Sequence, residues 1–205
     1  MTEAVFLDLL AAAVFGYLLG SIPFGLVLTR MAGLGDLRQI GSGNIGATNV
    51  LRTGRKGLAL ATLVLDSGKG AIAALVALAV CDYRSALVAG LFAVLGHNFP
   101  VWLKLKGGKG VATTLGVILA TSPISGLVAC LVWLGMAWKF HYSSLSALVA
   151  LCVAPFVALA LGHQAHAVVY AILAILGLVR HKANIKRLLA GTEPRIDLGK
   201  KFKKS

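Results

Sequence analysis

Hydrophobic and polar positions alternate in long blocks, not in the short periods of a soluble chain. Apolar runs recur at about residues 4–29, 58–80, 85–101, 110–122, 124–138, 144–161 and 165–179. A helix needs roughly 20 apolar residues, with a range of about 17–25, to cross a bilayer. The first, second and sixth runs reach that length. The fourth, about a dozen residues, requires tilted neighbours, a thinned bilayer or a re-entrant path. The pattern predicts an all-α, polytopic integral membrane protein of about seven transmembrane helices, some of them short. Five full spans plus shorter insertions is the alternative. The first run carries Glu3 and Asp8 at its start where a signal peptide would be basic, and it is too long for one, so it is expected to be a retained span.

Composition agrees with that reading. Of 205 residues, 58% are hydrophobic and 13% charged, and the mean hydropathy is +0.86. So few polar groups cannot cover a water-facing surface. The net charge of +13 would suggest nucleic acid in a soluble protein. In a membrane protein it reports sidedness. With seven spans, 18 of the 20 basic residues fall on one side, in the 30–57 loop, the 102–109 loop, at Lys139 and in the segment after 179. The positive-inside rule then places the N-terminus outside and the C-terminus in the cytoplasm. One domain is expected over 1–205, with 190–205 as a basic, mobile cytoplasmic tail. The stretch "RHKANIKRLLAG" is expected to continue the last span as an amphipathic surface helix. Cys81, Cys130 and Cys152 lie in or beside apolar runs without C-x-x-C spacing and read as buried thiols.

Three polar loops carry candidate chemistry. The first, "GSGNIGATNVLR", fits G-x-G-x-x-G at Gly41, Gly43 and Gly46, and Asp66 follows at about the distance of a dinucleotide fingerprint. That fingerprint requires a preceding strand and a βαβ unit. Here the loop follows a span and Asp66 sits in an apolar helix. What survives is an anion site: glycines that let backbone N–H groups converge, neutral donors from Ser42, Asn44, Thr48 and Asn49, and the forked donor of Arg52. The second loop, "GHNFPVWLKLKGGKGVAT", fails the Walker pattern but places Gly107, Gly108 and Gly110 around Lys109, the parts of a second anion cradle, with His97 upstream. In the third, "RHKANIKRLLAGTE", His181 and Asn184 share a helical face, with Arg187 nearby and Glu193 at the end. A plain basic juxtamembrane helix is the alternative there. Asp66 and Lys69, i and i+3 within the second span, are a costly intramembrane pair, expected to support the site structurally. No H-E-x-x-H, Cys/His cluster, G-x-S-x-G or H-x-x-x-x-D pattern occurs. No metal or cofactor is expected.

On these three loops, in order and at matching positions, the chain resembles the acyl-phosphate:glycerol-3-phosphate acyltransferases of bacterial membranes. The resemblance runs essentially the whole chain. It implies transfer of a fatty acyl group from acyl phosphate to the 1-hydroxyl of glycerol 3-phosphate, giving lysophosphatidic acid and inorganic phosphate. Its implied partners are those two substrates, the bilayer and a separate synthase supplying acyl phosphate, with no nucleic acid. Its implied location is the cytoplasmic (inner) membrane, with the active site facing the cytoplasm. Carried over by position, the critical residues are Ser42, Arg52, Lys109, His181 and Asn184. The implied phosphate-binding segments are the 41–49 loop and Gly107–Gly110. Ser144, in "YSSLS", matches the family's serine after the fifth span. His181 is implied either as general base or as a residue that orients substrate while a phosphate oxygen takes the proton. Ser42 as an acyl-enzyme nucleophile and a transporter for an anionic metabolite are the competing readings.

Overall fold

The computed structural model describes residues 2–196, so the basic segment 197–205 lies outside the described residues. The described residues form helices and connecting turns, with no strand among them. The helices are α1 (Glu3–Gly20), α2 (Phe24–Met31), α3 (Ala47–Leu51), α4 (Lys56–Val80), α5 (Tyr83–Asn98), α6 (Val111–Thr121), α7 (Pro123–Phe140), α8 (Ser143–Ala160), α9 (Gln164–Arg180) and α10 (Lys182–Leu189).

Every apolar run appears as helix. The first run is broken, however: α1 ends at Gly20, and α2 begins after Pro23, which has no N–H to continue the ladder. Five segments are long and apolar enough to cross a membrane, counting α1 and α2 as one. A sixth results if α9 and α10 are taken together across their 63° bend. At 11 residues, α6 extends about 16 Å, roughly half a hydrocarbon core. The stretch after Arg180 does not continue α9: the chain turns at His181 into a separate helix.

Large apolar side chains face outward along these helices. Phe6, Leu60, Leu131 and Phe156 are more than half exposed. Much of the interior is filled by small residues: Ala73, Ala74, Ala89, Ala93, Ala150 and Ala154 are fully buried, beside a few large side chains such as Tyr170, Ile118 and Leu173. With lipid as solvent, close backbone approach takes over from apolar burial as the packing principle. Gly16 and Gly20 of α1 press on the carbonyls of Ala89 and Ala93 of α5, where a Cβ would collide. In the same way Gly116 of α6 lies on the carbonyl of Ser67 in α4. These contacts pair α1 with α5 and α6 with α4, α5 packs in turn against α4 and α6, and the three polar loops meet at one end of the bundle.

Candidate active site

The first loop is organised by one buried amide. Asn49 of α3, 1% exposed, donates from Nδ2 to the carbonyls of Leu37 (3.1 Å), Ile40 (2.8 Å) and Asn44 (2.8 Å). Its Oδ1 accepts from the backbone N of Ser42 at 2.9 Å and from Ser42 Oγ at 3.3 Å. Asn49 was expected among the phosphate donors; instead its amide is spent on holding the loop in shape. Gly41 has φ +56 and a Cβ there would press on Asn49 Oδ1, so this turn requires glycine. Arg52 caps the end of α3 and has no carboxylate partner among the described residues. Thr48 Oγ1 lies 3.1 Å from Ser143 Oγ, joining the loop to α8.

The second loop departs from the expected cradle. The backbone N–H groups of Gly107 and Gly108 do not converge on an open site. They donate to the carbonyls of Asn98 (3.1 Å) and His97 (3.0 Å). Their own carbonyls accept from Arg180: Nε reaches Gly108 at 3.0 Å, and Nη2 reaches Gly107 at 2.9 Å and Gly108 at 2.8 Å. The glycines allow this close packing, since a Cβ on Gly108 would collide with the His97 ring. What the loop presents to the site is Lys109, followed by Gly110 at φ +77.

The third loop closes a polar network. Lys109 Nζ donates to Asn184 Oδ1 at 2.6 Å. Asn184 Nδ2 donates to Glu193 Oε1 at 2.6 Å, and Ser144 Oγ donates to the same oxygen at 2.7 Å. Arg187 Nε donates to Glu193 Oε2 at 2.7 Å. Burial works to raise the Glu193 pKa, but hydrogen bonds from Ser144, Asn184 and Arg187 outweigh it and hold the carboxyl below its ordinary value. Lys109 is lowered to about 8, chiefly by burial; the Glu193 carboxylate opposes this, and the guanidinium groups of Arg187, Arg52 and Arg180 add to it. His181 is lowered to about 4, again chiefly by burial. Its Nδ1 lies 2.7 Å from the carbonyl of Gly177. A carbonyl can only accept, so Nδ1 carries the proton and the Nε2 lone pair is free.

Beneath the loops lies a buried cluster. Lys69 Nζ sits 2.8 Å from Asp66 Oδ1, 2.9 Å from His97 Nδ1 and 2.7 Å from the carbonyl of Ile22. His97, expected among the substrate-binding residues, is turned to Lys69 on one edge and packed under Gly108 on the other. It is therefore part of the floor of the site.

A cavity of about 380 Å³ joins these parts. Ser42, Asn44, Gly46, Thr48, Asn49, Arg52, Asp66, His97, Lys109, Gly110, Ser144, His181, Asn184, Arg187 and Glu193 all border it, whereas Gly41, Gly43, Lys69, Gly107 and Gly108 do not. Its other wall is apolar, with Leu63, Leu115, Leu119, Trp133 and Leu134. Three cationic side chains thus face one end and a greasy arm leads away from it. That suits a phosphate attached to, or reacting with, an acyl chain. Among the described residues no three His, Cys, Asp or Glu side chains gather into a metal site. Ser42 Oγ contacts only Asn49 among them, with no base to activate it as a nucleophile. Sequence reasoning missed the Arg180 link to the second loop, the Thr48–Ser143 link and which residues line the apolar arm. All depend on pairings between distant segments.

Comparison with known proteins finds similarity along most of the chain. The family model described as glycerol-3-phosphate acyltransferase matches residues 10–191. A glycerol-3-phosphate acyltransferase of Rhodospirillum rubrum is 65% identical over 197 residues, covering 92% of this chain and 91% of that protein. One of Paramagnetospirillum magneticum is 62% identical, covering 95% and 96%. The crystal structure of PlsY, an integral membrane glycerol 3-phosphate acyltransferase, in its glycerol 3-phosphate form superposes with a TM-score of 0.87 at 42% identity, covering 92% of this chain and 96% of that one. A structure of the same enzyme in its lysophosphatidic acid form gives 0.85 at 40% identity, covering 91% and 94%.

Proposed function

This chain belongs to the glycerol-3-phosphate acyltransferase family, and we propose that its acyl donor is an acyl phosphate, transferred to the 1-hydroxyl of glycerol 3-phosphate at the cavity between the three loops. The observation that carries this is the continuity of the cationic end, with Arg52, Lys109 and Arg187, into the apolar arm lined by Leu119 and Trp133. A donor joining a phosphate directly to a fatty acyl chain fits both. The solved relative's glycerol 3-phosphate and lysophosphatidic acid forms supply the acceptor and the product by analogy.

Arg52 and Lys109 hold phosphate oxygens and neutralise charge that builds on the leaving phosphate. Ser42 and Asn184 position the substrates by hydrogen bonds. The free Nε2 of His181 accepts a hydrogen bond from the 1-hydroxyl and orients it at the acyl carbonyl. A group titrating near 4 does not keep a proton at neutral pH, so the departing phosphate oxygen takes it. The C–O bond to phosphate breaks as the new ester forms, giving lysophosphatidic acid and inorganic phosphate. Acyl phosphate is a mixed anhydride, so alignment and charge stabilisation suffice. The whole chain is one membrane-embedded unit in a bacterial inner membrane. The basic residues of the 30–57 and 102–109 loops support a site facing the cytoplasm, with the N-terminus outside. A separate synthase supplies the acyl phosphate.

The test is a reaction of purified protein with glycerol 3-phosphate and acyl phosphate, following inorganic phosphate and lysophosphatidic acid together. Equimolar release is expected. Turnover with acyl-CoA but none with acyl phosphate overturns the donor assignment.

A further inference from the structure

Arg180 stands where two catalytic segments meet. It ends α9, one residue before His181. Its guanidinium makes three hydrogen bonds of 2.8–3.0 Å to the carbonyls of Gly107 and Gly108, which precede Lys109. It also lies 5.1 Å from the Phe99 ring centroid, and the Phe99 carbonyl is fixed by Tyr17 Oη of α1 at 2.7 Å. No carboxylate pairs with Arg180 among the described residues. A forked, permanently charged donor is therefore spent on two backbone carbonyls 72 and 73 residues away in sequence.

We infer that Arg180 is a positioning residue, which sets the distance between the His181-bearing end of α9 and the Lys109-bearing loop. The inference rests on the reading of Lys109 as a phosphate ligand. From below, the loop is held by the His97 and Asn98 carbonyls, which accept from the Gly108 and Gly107 N–H groups. Those bonds fix its height. Arg180 fixes it sideways, toward α9. A lysine there has one ammonium and no fork to span both carbonyls at this geometry.

Two measurements test it. The first is kcat/KM in Arg180→Lys and Arg180→Gln, each alone and combined with Lys109→Ala. Displacing a catalytic group by about 1 Å costs on the order of 10²-fold, so each Arg180 variant is expected to lose roughly that much. In the Lys109→Ala background the same changes are expected to cost little more. Equal losses in both backgrounds mean that Arg180 does not act through Lys109, and the inference falls. The second readout does not depend on turnover: competitive labelling of the Lys109 amine across pH. Lys109 is faced by Glu193, Arg187, Arg52, Arg180 and, more weakly, His181. In Arg180→Lys, which keeps the charge, freeing the loop is expected to bring Lys109 nearer water and raise the pH at which it titrates, since burial is the chief cause of its lowering. An unchanged titration overturns the inference. Full activity of Lys109→Ala alone would instead remove the reading of the site on which it rests.

Discussion

Lys109 Nζ donates to Asn184 Oδ1 at 2.6 Å across a separation of 75 residues. That bond joins the second loop to α10, and through Asn184 Nδ2 to Glu193. Replacing Asn184 by Ala leaves the lysine without its tether and Glu193 short of one donor. Asn184→Ala is expected to lower kcat/KM on the order of 10²-fold, read as phosphate release, while the protein still extracts and purifies as wild type. Wild-type turnover would remove Asn184 from the site.

Lys109 titrates near 8, and its phosphate-binding form is the cation. Its protonated fraction falls as pH rises through 8, so kcat/KM, which reports the free enzyme, is expected to fall above about pH 8. In Lys109→Arg the guanidinium stays charged throughout. The residual activity of that variant should show no such limb. A limb that persists unchanged would assign the titration to another group.

Gly108 and Gly46 offer a contrast within the glycine loops. A methyl group on Gly108 would collide with the His97 ring, whereas one on Gly46 meets only the Asn44 side chain at 3.4 Å. Overpacking costs about 1–3 kcal/mol. Gly108→Ala is expected to lower thermal stability in detergent by that order and to lose activity. Gly46→Ala should leave the unfolding temperature nearly unchanged.

Breaking the buried Asp66–Lys69 pair strands a charge. Removing one partner of such a pair costs about 3–5 kcal/mol, so Asp66→Ala and Lys69→Met should each destabilise strongly. The double variant is expected to be less damaged than the sum of the two, because neither charge is left behind. Additive losses in thermal unfolding would mean that each residue serves an independent partner.

Asn49→Asp keeps the size of the side chain and removes its donor. The carbonyls of Leu37, Ile40 and Asn44 then face a carboxylate where an N–H stood. Each buried polar group left without a partner costs about 1–3 kcal/mol. Loss of both stability and turnover is expected, with proteolytic cleavage appearing in the 40–46 segment. Resistance to protease equal to wild type would show that other contacts hold the loop.

The helices were legible because apolar runs this long have few alternatives in a bilayer. The break at Pro23 was not anticipated, since Ser21 and Pro23 interrupt a run that stays apolar on both sides. The three loops, with Lys109, His181 and Asn184, were legible as candidates from glycine pattern, charge and helical spacing, and Ser144 through resemblance to a family. Their division of labour was not. Glycine-rich sequence suggested free N–H donors at Gly107 and Gly108, yet those groups are satisfied by His97 and Asn98. A glycine permits close approach as readily as it permits an open cradle, and composition does not separate the two. The pairing of Asp66 with Lys69 follows from helical spacing; the addition of His97, 28 residues on, leaves no local pattern. Arg180 read as one more basic residue at a membrane edge, because its partners are backbone carbonyls.

The strap after α10 carries a consequence for truncated chains. Glu193 ties together Ser144, Asn184 and Arg187, and just beyond it the Ile196 N–H reaches the carbonyl of His141 at 2.6 Å. Glu193 and Ile196 lie C-terminal to every apolar helix, so a chain cut just before Glu193 keeps all of those helices. Such a chain lacks the hub that orders its polar end. A fragment truncated before Glu193 would occupy the bilayer without acting on it.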